Sequence, residues 1–313
     1  MLRYTITILK TAWSSPNAIV RIVRILICVV VVCVLLIMSF EDKLIYFPEK
    51  YPSGLWNVAE TSGRNSAGLA DRAVVPRIED CSFRTADGFT LHGWYATPVM
   101  KNGDSFEPLQ SKKVMIWFHG NAGNITHRYD MMRMLISLPV EIFMPDYRGY
   151  GRSEGSPTES GLYLDASAAW DYLTVERGID PKRIVIFGKS LGGAVAVDLA
   201  SRVDCAGLIV QSSFTSASAV ASHVLPLFPT VFLHTKLDSL SKIRNVRCPK
   251  LFIHSRADEV IPFKLGWKLY EAAPEPKEFY EVQGAPHNTT YLVGGQAYLE
   301  ALRSFITAVG SRQ

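Results

Sequence analysis

The stretch Arg183-Ile184-Val185-Ile186-Phe187-Gly188-Lys189-Ser190-Leu191-Gly192-Gly193-Ala194-Val195-Ala196-Val197-Asp198-Leu199-Ala200 decides the fold. Its β-branched half reads as a buried strand and its small-residue half as a helix. Between them, Gly188-Lys189-Ser190-Leu191-Gly192 leaves room only for a sharp turn, with a glycine two residues to either side of Ser190. Such a turn holds Ser190 in a strained backbone conformation with its side chain raised, while the glycines let strand and helix approach closely. The helix N-terminus beneath it offers free N–H groups and partial positive charge where an oxyanion would form. Ser190 is therefore the candidate nucleophile. Gly-x-Ser-x-Gly alone is ordinary turn composition; the strand before it and the helix after it give it weight.

A serine hydroxyl near neutral pH needs a base to take its proton and a carboxylate to orient that base. Cys248-Pro249-Lys250-Leu251-Phe252-Ile253-His254 reads as a buried strand, and Ser255-Arg256-Ala257-Asp258-Glu259 follows as a polar loop. Asp258 stands where a strand-end carboxylate is wanted. Its competing reading is an N-cap for the segment opening Ile261-Pro262-Phe263. Glu259 is the alternative orienter, with Asp258 preferred. Lys277-Glu278-Phe279-Tyr280-Glu281-Val282 alternates like a strand and runs into Gln283-Gly284-Ala285-Pro286-His287-Asn288, so His287 falls in a loop before the closing helix around Tyr298 to Val309. Chain order favours His287 as base over an exposed loop histidine. Ser190, Asp258 and His287 each end a predicted strand, in the order that accompanies this kind of elbow. Ser212 and Ser213 also end a strand but lack the glycine frame, and His254 lies inside one and reads as structural. Among seven histidines no pair has H-E-x-x-H spacing, and no C-x-x-C occurs, so a metallohydrolase is not indicated.

Acyl transfer also needs N–H donors aimed at the developing oxyanion. The Leu191 N–H, just after the nucleophile, is one. The other is expected from the loop His119-Gly120-Asn121-Ala122-Gly123-Asn124 that follows the strand Val114-Met115-Ile116-Trp117-Phe118, with Asn121 as its candidate. The plainer reading of that loop is a simple turn into the helix near Tyr129 to Leu138. A further loop, Asp146-Tyr147-Arg148-Gly149-Tyr150-Gly151-Arg152-Ser153-Glu154-Gly155, lacks the Lys-Ser/Thr of a phosphate loop. Its charged side chains are expected to brace the floor of the site.

On these motifs the chain resembles the α/β-hydrolase superfamily over residues 76 to 313. His119-Gly120-Asn121-Ala122-Gly123-Asn124, Asp146-Tyr147-Arg148-Gly149-Tyr150-Gly151, Gly188-Lys189-Ser190-Leu191-Gly192-Gly193 and Asp258-Glu259-Val260-Ile261-Pro262-Phe263 look like its bud-emergence-type group of membrane-anchored serine hydrolases. Related members of that group remove fatty acyl chains from proteins. The resemblance implies an α/β fold with a mostly parallel central sheet flanked by helices. It also implies Ser190 as nucleophile, His287 as base, Asp258 as orienter, and no cofactor.

At the other end of the chain, Ile25 to Phe40 is a sixteen-residue run interrupted only by Ser39 and free of charge. With Ala18 to Arg24 it approaches the roughly 20 residues that cross a bilayer. One transmembrane helix over 18–40 is the expectation, after a basic flank at 1–17. Arg3, Lys10, Arg21 and Arg24 precede the run without an acidic residue, which by the positive-inside rule puts the N-terminus in the cytoplasm and the catalytic domain outside it. A cleaved signal peptide is the alternative, but no A-x-A site follows. Residues 41–75 read as a junction. Its aromatic residues, Tyr46, Phe47, Tyr51 and Trp56, suit either the headgroup region or the hydrolase body, and the stretch beyond them has linker composition.

The remaining 238 residues suffice for one α/β domain. It opens with a hairpin around Asp87-Gly88 and has room for no large lid, only a small helical flap around Val220 to Thr235. The net charge of +4 makes no case for nucleic acid, and the five cysteines suggest no disulfide framework. The reading is a membrane-anchored serine hydrolase acting on an ester or thioester, of lipid or acylated protein. Aminopeptidase-like amide cleavage and a non-catalytic tethered binding protein are the alternatives.

Overall fold

The computed structural model describes residues 17–57, 74–102, 105–226 and 229–309. The expected basic flank and the polar part of the junction, residues 58–73, lie outside the described residues.

The hydrolase body begins with β1 (Val74–Arg84) and β2 (Thr90–Asn102), an antiparallel pair in register from Arg84↔Thr90 to Val74↔Met100. The expected Asp87-Gly88 turn closes it, with Gly88 at φ +94°, a conformation that glycine adopts without strain. A short β3 (Ser105–Pro108) folds back on β2. Strands and helices then alternate: β4 (Lys113–Phe118), α2 (Tyr129–Leu135), β5 (Val140–Pro145), α3 (Glu159–Asp171), β6 (Ile184–Lys189), α4 (Leu191–Ala200) and β7 (Gly207–Gln211). After β7 come α5 (Ala217–Val224), a 3-10 turn at Thr230–Phe232 and α6 (Ser239–Lys242), then β8 (Lys250–His254), α7 (Phe263–Ala272), β9 (Lys277–Glu281) and α8 (Thr290–Ala308). These numbers leave aside α1, the N-terminal helix described below. The last helix starts earlier than the sequence suggested because Gly295, at φ +51°, breaks it into two arms.

The sheet order is β9-β8-β7-β6-β4-β5-β2-β1, with β3 on β2. From β9 to β5 all neighbours are parallel. Parallel strands are covered on both faces, and β4 shows how. Val114, Ile116 and Phe118 point into one core layer with Leu162, Ala166, Val195 and Leu199, while Met115 and Trp117 point into the other with Met132, Leu135, Leu302 and Phe305. After β4 the chain turns to β5 on one side and then crosses to β6 on the other. The crevice beyond the carboxyl ends of β4 and β6 is the position where doubly wound sheets take ligands.

The N-terminal helix α1 runs Ala18–Ile45, capped by the Asn17 side chain, which accepts the Ile19 N–H at 3.0 Å. It differs from the expected straight span over 18–40. Its arms, Ile19–Leu35 and Met38–Ile45, meet at a bend of 50°. No single helix among the described residues is long and apolar enough to cross a membrane; the bent pair passes on length and composition. The helix persists to Ile45 because its last turns dock on the body. The buried Glu41 carboxylate accepts the N–H groups of His234 (3.0 Å) and Thr235 (2.6 Å). The chain then pairs Phe47–Pro48 with Ala122–Gly123. Of the junction aromatics, Tyr46 is buried and Trp56 packs edge-on to His92 and Trp94 under the Arg152 guanidinium, 4.6 Å above its ring, while Phe47 and Tyr51 stay half exposed.

Candidate active site

Ser190 sits between β6 and α4 with φ +56° and ψ −121°, a conformation a serine keeps only when its surroundings hold it. Its N–H donates to the Gln211 carbonyl at 2.9 Å, and its own carbonyl accepts from the Gly193 N–H and from Ser213 Oγ, each at 2.9 Å. The expected need for glycine is steric. A Cβ on Gly188 would lie 2.2 Å from the Gly192 carbonyl oxygen, and one on Gly192 would lie 2.0 Å from that of Phe118. Every residue of α4 is buried, and its Gly and Ala positions seat it directly on the sheet.

Asp258 and His287, 29 residues apart, come together in the loops after β8 and β9. His287 Nδ1 is 2.8 Å from Asp258 Oδ2 and 3.0 Å from Oδ1. The competing readings of Asp258 prove compatible, since Oδ1 also accepts the N–H groups of Val260 (3.0 Å) and Ile261 (2.8 Å) and so fixes the turn before α7. Glu259 is the alternative orienter in sequence, yet its carboxylate accepts the His287 backbone N–H at 2.9 Å and leaves the ring to Asp258. Burial works to raise the Asp258 carboxyl, and hydrogen bonding from His254 and His287 outweighs it, holding the group well below the usual carboxylate range. His254, buried as expected of a structural histidine, bonds the Ile261 carbonyl at 3.0 Å and lies 3.4 Å from Asp258 Oδ2.

Asn121 is held on three sides. Its carbonyl accepts from the Phe47 N–H (3.0 Å) and the Tyr150 hydroxyl (2.7 Å), and its side-chain amide donates to the Ile45 carbonyl (3.0 Å). No hydrogen bond among the described residues takes its own N–H. The Leu191 N–H, at the first position of α4, likewise lacks an intrahelical acceptor. The Asp146–Gly155 loop meets the Asn121 loop through uncharged hydroxyls, Tyr147 on the His119 carbonyl (2.9 Å) and Tyr150 on that of Asn121, whereas its Arg148 spans Asp165 (2.9 Å from Nε) and Asp87 (2.8 Å from Nη1). Burial nonetheless pushes the Asp165 carboxyl up to about 6, against the pull of Arg148.

Asn121, Ser190 and Leu191 share the wall of one cavity of about 240 Å³. Apart from Glu41 the rest of it is apolar, with Phe214, Ala217, Val220, Ala221, Leu233 and Leu237 among its residues and Leu44 and Ile45 of α1 closing one side. Lys189, next to the nucleophile, is driven down to about 8 by burial and by the Arg128 charge. A larger cavity, about 530 Å³, lies at the amino ends of the strands between Lys113, Arg183 and Lys277, away from Ser190. Three contacts were not legible in the sequence: Ser213 on the elbow, His254 on Asp258, and Glu41 under the cavity wall. Ser213 and Glu41 meet partners distant in the chain, whereas His254 reaches Asp258, four residues on, through the fold of the loop that follows β8.

The body matches the family model described as alpha/beta hydrolase fold over residues 113–239. An uncharacterized protein of Mycobacterium tuberculosis is 35% identical over 275 residues, covering 88% of this chain and 90% of that one. The alpha/beta hydrolase domain-containing protein WAV2 of Arabidopsis thaliana is 30% identical over 298 residues, covering 89% and 91%. Among solved structures, the Pyrococcus furiosus esterase Pf2001 superposes with a TM-score of 0.65 at 20% identity over 85% of this chain and 100% of its own, a likeness of fold. By the arrangement of its sheet and the extent of these matches, the chain belongs to the α/β-hydrolase family.

Proposed function

We propose that the protein is a membrane-anchored serine hydrolase that cleaves esters or thioesters through an acyl-enzyme. Ser190 Oγ attacks the carbonyl carbon while His287 Nε2 takes its proton. The oxyanion is received by the N–H groups of Leu191 and Asn121. Collapse of the tetrahedral intermediate breaks the bond to the alcohol or thiol, which leaves with the proton from His287. Water, deprotonated by the same histidine, then releases the acid and restores Ser190. Asp258 holds the ring so that Nε2 is left as the acceptor.

The observation that carries this reading is a strained serine on the wall of a largely apolar cavity that Val260 and Ile261 also line, in the turn held by the Asp258 carboxylate of a buried carboxylate–imidazole pair. Acyl chains fit such a lining better than charged aminoacyl groups do. Glu41 is the one acidic residue of the lining, and its carboxylate is occupied by His234 and Thr235, so nothing there receives a free amino group. Within this proposal α1 anchors the chain in a bilayer, with the N-terminus cytoplasmic and the hydrolase body on the other side.

The test is fluorophosphonate labelling of the detergent-solubilised chain, followed by peptide mapping. Label on Ser190, lost in Ser190→Ala and strongly reduced in His287→Ala, is expected. Turnover of p-nitrophenyl esters should fall by about 10⁴-fold or more in both variants. Undiminished hydrolysis by the two folded variants would sink the assignment.

A further inference from the structure

We propose that the mouth of the Ser190 cavity opens into the face of a lipid bilayer, so that the acyl chain of a membrane-borne substrate passes from the leaflet into the cavity without crossing water. The inference rests on the reading of α1 as a membrane anchor and adds what that anchor does for the site.

Three observations lead there. First, one wall of the cavity is the foot of α1 itself, through Leu44 and Ile45. Second, the foot is tied to the segment that follows the 3-10 turn, since Glu41 binds the backbone N–H groups of His234 and Thr235. Wherever α1 enters a membrane, Thr230–Phe232 is therefore carried to the same level. Third, that level is apolar on its outside. Leu44 is 54% exposed, Val224 63%, Leu225 47%, Val231 78% and Phe232 46%. A single exposed apolar side chain is ordinary on a protein surface. Five of them, from α1, the end of α5 and the 3-10 turn, beside a largely apolar cavity at the base of a helix whose upper arm exposes Ile22, Ile25, Leu26 and Val29, make an apolar rim. Water-exposed rims of this kind are costly, and a leaflet removes the cost. The bend fits the same picture. With Ile19–Leu35 in the hydrocarbon, the arm Met38–Ile45 leaves that axis by 50° toward the interface, where the exposed Asp42 and Lys43 reach water. Interfacial segments settle about 5–10 Å into the headgroup and acyl boundary, which covers the rim and leaves the body outside. The substrate class that follows is a long-chain acyl ester or thioester held in the membrane.

The full chain is reconstituted into phosphatidylcholine vesicles with two kinds of variant, neither of which alters the cavity lining. In Val231→Trp, emission added over the wild type reports immersion, and brominated phosphatidylcholine is expected to quench it by more than half. In the double variant Val231→Asp, Phe232→Asp, kcat/KM for a long-chain ester dissolved in the vesicles is expected to fall at least about 10-fold, with turnover of soluble p-nitrophenyl butyrate within 2-fold of wild type. An unquenched tryptophan, equal loss on both substrates, or a chain that does not associate with vesicles overturns the proposal. If the serine hydrolase reading fails, neither ester is turned over, and the quenching arm still decides the orientation.

Discussion

Asp258 binds two kinds of partner at once. Oδ1 carries the turn amides of Val260 and Ile261, and both oxygens lie within hydrogen-bonding distance of the His287 ring. Replacing it with Asn keeps the size but supplies an N–H where His287 needs an acceptor, so kcat is expected to fall by about 10⁴-fold. Glu259→Gln retains an oxygen for the His287 backbone N–H and is expected to cost less than about 10-fold. Equal losses in the two variants, by steady-state kinetics on one ester, would remove the distinction. The lowered Asp258 carboxyl also sets a sign for pH. The folded group binds its proton less readily than the unfolded one, whose carboxyl titrates near 3.9. Its contribution to stability is therefore full above about pH 4 and is lost as the pH falls through the folded value. Thermal unfolding below pH 4 should show this loss in the native chain and less of it in Asp258→Asn.

The strand–turn–helix elbow is where element packing is tightest. An Ala at position 192 would drive its Cβ into the backbone of Phe118 and His119, which cannot move without separating α4 from β4. Gly192→Ala is expected to destabilise by about 4 kcal/mol or more. At Gly120 the nearest atom to an added Cβ is that of Ser190 at 3.6 Å, an ordinary contact, and Gly120→Ala should stay within about 1 kcal/mol. Denaturant unfolding of the two variants, compared with the native chain, checks the contrast. At the foot of α1, Glu41→Ala leaves two backbone N–H groups without their carboxylate. A cost of about 1–3 kcal/mol is expected in local opening, read as faster hydrogen exchange of the His234 and Thr235 amides.

For the whole molecule, the site is assembled from parts on every side of the switch in strand order. β4 and β6 bring Asn121 and Ser190 to one cavity, α1 closes it, and the proposed mechanism adds Asp258 and His287 from the loops after β8 and β9. Under the proposed anchoring the body cannot tumble free of the surface in which α1 lies, because α1 is also a wall of the cavity. The topology proposed from the basic flank has a direct test. In intact vesicles with the cytoplasmic face outward, a tag at the C-terminus should survive added protease. Its digestion there would reverse the orientation.

The turn that strains Ser190, the loop that carries Asn121 and the strand-end positions of Asp258 and His287 were legible in the sequence because each rests on local rules. Glycine frames, apolar runs of strand length and the polar loops that end them are encoded within a few residues of one another. The hairpin at Asp87-Gly88 was legible for the same reason. What the sequence left open was settled by contacts between segments far apart in the chain. Only packing gave the Asp258 carboxylate the His287 ring and that of Glu259 the His287 backbone N–H, since both carboxylates stand side by side in one loop. Only packing turned Trp56 onto the body and tied Glu41 of α1 to the segment after the 3-10 turn. Local propensity fixes what each segment becomes; which side chains meet across the crevice depends on how the sheet orders those segments in space.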